Sequence, residues 1–132
     1  MFEVRVEVEF PAAHHLIGYQ GDCARPHGHN WKMHVFARSH GLDSIGMSVD
    51  FRILKKSVKE LVARWDHQDL NLLEDFKDIN PSAEQIARLA YNHLTREIAV
   101  LNKGDHKVWI DRVAVLENDR CSATYLGESP RT

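Results

Sequence analysis

The seven residues Cys23-Ala-Arg-Pro-His-Gly-His29 place one thiol four residues ahead of two imidazoles spaced i, i+2. If His27 and His29 open a strand, both rings point to one face, because side chains alternate with a period of two. Gly28 between them presents no side chain to the opposite face. Two histidines on one face are half of a zinc site. A third nitrogen ligand leaves one position open for water or substrate, the arrangement of a catalytic zinc rather than a structural one. The reading needs that third ligand, and it needs a use for Cys23.

Histidine is abundant, with nine in 132 residues, and five of them (His14, His15, His27, His29 and His34) lie close together in sequence. His14 and His15 follow the small residues Ala12 and Ala13, which let a backbone approach a ligand or another strand. On residue types alone the pair reads equally as metal ligands or as a polar loop. Two further stretches carry possible chemistry. Asp66-His67 reads either as a capping turn past a helix end or as an acid–base group oriented by a carboxylate. Glu117 continues the phase of Val113 and Val115; a carboxylate on a core face is costly to bury unpaired. Either the strand has ended and Glu117 is solvated, or it faces a pocket and binds something cationic or rich in N–H donors.

The elements that must position these residues are legible in the pattern. Phe2, Val4, Val6, Val8 and Phe10 alternate with charged residues, which predicts a half-buried strand ended by Pro11. A second strand runs from His29 to about Arg38, with Trp31, Met33, Val35 and Ala37 in the phase of His27 and His29. Residues Asp50 to Trp65 predict an amphipathic helix with Asp50 as N-cap. Ser82 with Gln85 has the form of a capping box opening a second helix, with Ile86, Ala90, Leu94 and Ile98 on its apolar stripe. A third strand spans Val108 to Leu116, and Ser122 to Leu126 suits a short fourth. The order is strand, strand, helix, helix, strand, strand. Two amphipathic helices need an apolar surface, and one face of an antiparallel sheet supplies it: a two-layer α+β domain. Its open edges invite pairing with other subunits, so a homo-oligomer is expected.

Composition sets the outer bounds. A chain of this length suits a single domain over residues 1–132. A net charge of −2 offers no basic field for nucleic acid. No stretch suits a membrane span, and the charged N-terminus is unlike a signal peptide. Cys23 and Cys121 make no disulfide framework, which fits a cytoplasmic protein with reduced thiols.

Phe10-Pro-Ala-Ala-His14, Cys23-x-x-x-His27-Gly-His29, Val49-Asp50-Phe51, Asp66-His67-x-x-Leu70-Asn71, Asn80-Pro81-Ser82-Ala83-Glu84 and Glu117 occur in that order along the chain. Together they resemble the 6-pyruvoyl-tetrahydropterin synthase / 6-carboxytetrahydropterin synthase family. The resemblance implies a tunnelling fold (T-fold): a four-stranded antiparallel sheet with two helices on one face, in ββααββ order. It implies trimers that close a barrel, stacked as a homohexamer with active sites between subunits. It assigns Zn2+ to His14, His27 and His29, catalysis to Cys23, Asp66 and His67, and the pterin anchor to Glu117. Ser82, where the family commonly has Thr, and Arg25, for the triphosphate, are further substrate-binding candidates. Asn118 stands where the family usually has Thr, and Trp31 where Tyr is frequent.

The four-residue spacing from Cys23 to His27 resembles the bacterial 6-carboxytetrahydropterin synthases of queuosine (7-deazapurine) biosynthesis. The implied reaction converts 7,8-dihydroneopterin triphosphate to 6-carboxy-5,6,7,8-tetrahydropterin, acetaldehyde and triphosphate, a carbon–carbon lyase activity. The alternatives are a 6-pyruvoyl-tetrahydropterin synthase, which eliminates triphosphate without C–C cleavage, and a non-catalytic zinc-stabilised binding module.

Overall fold

The computed structural model describes residues 1–102 and 104–127; the last residues of the expected 1–132 domain lie outside the described residues. The elements run β1 (Phe2–His14), β2 (His27–Ser39), α1 (Phe51–Val62), β3 (Gln68–Asp69), α2 (Ala83–Leu101), β4 (Val108–Asn118) and β5 (Cys121–Tyr125). Single helical turns at Asp22–Ala24, Leu70–Leu72 and Glu74–Phe76 fill two of the connections. The sheet order is β3-β1-β2-β4-β5. The four long strands are antiparallel neighbours, as expected. The difference is β3, which joins the edge parallel to β1 at Ala12 and Ala13 and makes the sheet mixed and five-stranded.

β1 runs through Pro11 instead of stopping there. In an antiparallel strand a residue's N–H and C=O point to the same side. The Pro11 carbonyl accepts from His67 N–H at 2.7 Å, on the side away from β2. The missing Pro11 N–H therefore faces the sheet edge, where no ladder bond is lost. β1 continues to His14 and pairs it directly with His27.

The alternation read from the sequence sets the core face. Val6, Val8, Phe10, Ala12 and His14 of β1 are buried, as are Trp31, Met33, Val35 and Ala37 of β2. In β4 the phase breaks: Phe36 pairs with Arg112 but Ala37 with Ile110. Asp111 is the extra residue of that bulge, so Ile110 and Val113 both reach the core although three residues apart. α1 packs on β1, and α2 on β4 and β5. Both helices begin as the capping residues predict: Asp50 accepts from Arg52 N–H at 2.8 Å, and Ser82 from Gln85 N–H at 3.2 Å.

α1 stops at Val62, short of the expected Trp65. Arg64 and Trp65 N–H groups bond to carbonyls three residues back, which tightens the chain into turns. Trp65 is 1% exposed and packs its ring against Phe10 and Phe76, while its indole N–H donates to Asp75 at 2.9 Å. The apolar periodicity past Val62 thus reflects a buried anchor rather than another helical turn.

Candidate metal centre and active site

At the end where β1 finishes and β2 begins, three imidazoles converge. His14, His27 and His29 lie with ring centroids 4.5 to 5.1 Å apart. Their ligating nitrogens all fall within 4.8 Å of one another, and they form the metal-capable group among the described residues. Strand geometry explains the convergence. His14 is paired with His27, and His29 with Ala12, so the three rings share the core-facing side of two adjacent strands. Trp31, fully buried, floors the group edge-on to His14 and His29, and its N–H donates to the Ala12 carbonyl at 3.2 Å.

The rings are oriented by backbone carbonyls. His14 Nδ1–H donates to the Pro81 carbonyl at 2.7 Å, and His27 Nδ1–H to the Arg25 carbonyl at 2.7 Å. A carbonyl only accepts, so each contact fixes the proton on Nδ1 and leaves Nε2 as a lone pair. The Nε2 atoms of His14 and His29 are buried and find no hydrogen-bond partner among the described residues. Orphaned buried ring nitrogens that converge are what a cation would satisfy. Burial pushes the His14 pKa down, against the Pro81 carbonyl, with His27 and His29 adding to the depression. Burial also lowers that of His29, opposed by Glu117. Neutral imidazoles are the form that ligates a metal.

Glu117 faces this group. Its Oε1 lies 3.7 Å from His14 Nε2 and 3.9 Å from His29 Nε2, with the side chain 31% exposed. It sits at a second bulge, where Leu116 pairs with Ser122 and Asn118 with Cys121. The carboxylate is thus neither past the strand end nor buried unpaired: it lies within β4, half-buried against His14 and His29. Asn118 has a local explanation. Its side-chain oxygen accepts from the N–H groups of Arg120 and Cys121, which closes the β4–β5 turn.

The other predicted residues are placed as follows. Cys23 is a free, half-buried thiol on the turn Asp22–Ala24 and is not part of the three-histidine group. Asp66 and His67 form a pair, Oδ1 to Nδ1 at 3.0 Å, with the His67 side chain 77% exposed. His67 takes φ of 58°, the left-handed region, as the chain turns into β3. It shares with His29, Ala13, Gly28 and Asn30 a cleft of about 430 Å³ on the sheet edge. Ser82 spends its hydroxyl on capping α2, and Arg25 contributes its carbonyl to His27 while its side chain is exposed. Sequence reasoning missed Pro81, Asn71 and Asn80 as supports of this region. Asn71 and Asn80 hold the backbone of His15 and Ile17. Their signal was their place in two motifs, and residue types alone assign them no contact.

Fold and site together define a protein of the tunnelling fold with a histidine face able to hold a metal. The family model described as 6-pyruvoyl tetrahydropterin synthase matches residues 3–128, and the chain belongs to that family. A relative from Synechocystis sp., 6-carboxy-5,6,7,8-tetrahydropterin synthase, is 34% identical over 99% of this chain and 96% of its own. The putative enzyme of the same name from Archaeoglobus fulgidus is 34% identical over 88% of each chain. Among solved structures, the Caenorhabditis elegans 6-pyruvoyl tetrahydropterin synthase superposes with a TM-score of 0.81 over 96% of each chain at 24% identity, a likeness of fold.

Proposed function

We propose that the protein is a zinc-dependent 6-carboxy-5,6,7,8-tetrahydropterin synthase acting on 7,8-dihydroneopterin triphosphate in queuosine biosynthesis. The observation that carries the reading is the convergence of His14, His27 and His29 with two orphaned buried Nε2 atoms. The names of the curated relatives support the carboxy product over the pyruvoyl one.

The overall chemistry balances without an external reductant. The side chain loses triphosphate, two hydrogen equivalents pass from it to the pterin ring, and one water completes carboxylate and acetaldehyde. The protein's task is therefore to move protons and hold the substrate. His14, His27 and His29 would hold the metal and leave one side open. A zinc ion there supplies Lewis acidity that makes side-chain protons easier to remove. Cys23, as thiolate, takes a proton from the side chain and returns it at the ring. His67, held by Asp66, is the partner acid–base group. Glu117 accepts N–H bonds from the aminopyrimidine edge, a bidentate match for a carboxylate. Ser82 and Arg25 are secondary substrate contacts, Arg25 toward the triphosphate. The assembly is a homohexamer in the cytoplasm, with Cys23 and His67 of one site drawn from different subunits.

The test is Cys23→Ala in the zinc-loaded enzyme. The expected result is a loss of about a thousandfold or more in turnover with zinc content unchanged. Loss of zinc would make Cys23 a fourth ligand and the site a structural one.

A further inference from the structure

Beyond His14 the chain leaves the sheet, yet residues 15 to 17 remain hydrogen-bonded as a strand would be. Two asparagine side chains stand in for the missing neighbour. Asn71 Oδ1 accepts from His15 N–H at 2.9 Å, and Asn71 Nδ2 donates to the His15 carbonyl at 3.1 Å. Asn80 does the same to Ile17, accepting from its N–H at 2.8 Å and donating to its carbonyl at 3.0 Å. Between them Leu16 N–H points the other way and donates to the Cys23 carbonyl at 2.8 Å. The alternation of 15, 16 and 17 is that of a strand with amides on one side and the Cys23 turn on the other. Pro81, next to Asn80, receives the His14 Nδ1–H. The chain from 71 to 81 therefore grips a metal-face ring and, through Leu16, the thiol-bearing turn.

We propose that Asn71 and Asn80 are positioning residues that fix Cys23 relative to the three-histidine centre by clasping His15 and Ile17. This rests on the role given to Cys23 above. The residue type follows from the geometry. Each clasp must donate and accept at once to one residue's backbone, and a primary amide does both. An aspartate has the same shape but only accepts, so one oxygen would face a backbone carbonyl. The turn at Asp22–Ala24 has no side-chain cap at its start; the Leu16 bond ties it to the clasped segment, and the His27 bond to the Arg25 carbonyl ties its far end to β2. A misplacement on the order of 1 Å costs about a hundredfold in rate where proton transfer depends on distance.

The experiment uses the full-length zinc-loaded enzyme carrying Cys121→Ser, so that Cys23 is the only thiol. Asn71→Asp and Asn80→Asp are compared with this parent in four readouts: zinc content, melting temperature, kcat and KM for 7,8-dihydroneopterin triphosphate, and the pH profile of Cys23 alkylation by iodoacetamide. The expected result is full zinc, KM within about twofold, kcat lower by about thirtyfold or more, and a displaced alkylation profile. A parental kcat per zinc with a parental alkylation profile, and only the melting temperature lowered, overturns the proposal. So does loss of zinc with the thiol unaffected. Should an aspartate variant not fold, Asn80→Ala, which removes the clasp without adding a charge, carries the same expectations. Cys23→Ala run alongside separates the two readings. If it keeps its activity, the role given to Cys23 fails, while the alkylation profile still judges the clasp.

Discussion

His14 and His27 each commit Nδ1 to a backbone carbonyl, and this decides which nitrogen faces the centre. The histidine spacing in sequence indicated a shared face; it did not indicate the carbonyls of Pro81 and Arg25 that set the tautomers. Such contacts, one of them spanning 67 residues, leave no periodicity to read. Glu117 was legible as a carboxylate out of place on a core face, and its proximity to His14 and His29 gives the reason. The depressed pKa values of His14 and His29 carry a signed prediction for the metal-free protein. Above the ordinary imidazole value of about 6.5 both rings are neutral folded or unfolded, and their contribution is flat. As pH falls below that value the unfolded chain takes up protons first. Stability is then lost until the lower folded values are reached. Thermal melts between pH 8 and pH 5 should show falling stability on acidification, and added zinc should oppose the fall less and less as protons compete for Nε2. Melting temperatures that rise on acidification would contradict the buried, neutral assignment.

The elements were mostly legible because the sheet has one wet face and one dry face, which writes itself into the alternation of β1 and β2. The exceptions have local causes. Pro11 lies within β1 because its missing donor faces the edge, and two-residue β3 is too short to leave a pattern. α1 ends at Val62 because Trp65 belongs to the Phe10 and Phe76 cluster. The bulges in β4 shift phase in ways alternation cannot encode. The capping residues were readable, since their chemistry is local. Ser82 combines two duties: it caps α2, and it follows the Pro81 carbonyl that orients His14. Ser82→Ala should cost about 1 kcal/mol of stability in denaturant melts. A loss below about 0.3 kcal/mol would mean that the cap contributes little beyond what water supplies.

Over the fold as a whole, a sheet whose outer strands are β3 and β5 leaves open edges suited to assembly. Among the described residues no helix is long and apolar enough to cross a membrane. Within the chain Asp66 and His67 pair with each other on an exposed edge, and neither belongs to the three-histidine group. The proposed sharing of each active site between two subunits would account for that exposure, and complementation tests it. Cys23→Ala and His67→Ala should each be nearly inactive alone, and co-expression should restore turnover through mixed interfaces that carry both intact residues. No recovery in mixed oligomers would place both residues in one subunit's site.

Zinc-loaded protein incubated with 7,8-dihydroneopterin triphosphate and followed by mass spectrometry should yield 6-carboxy-5,6,7,8-tetrahydropterin with acetaldehyde and triphosphate. Accumulation of a 6-pyruvoyl product without acetaldehyde, or no turnover by the fully zinc-loaded oligomer, would contradict it.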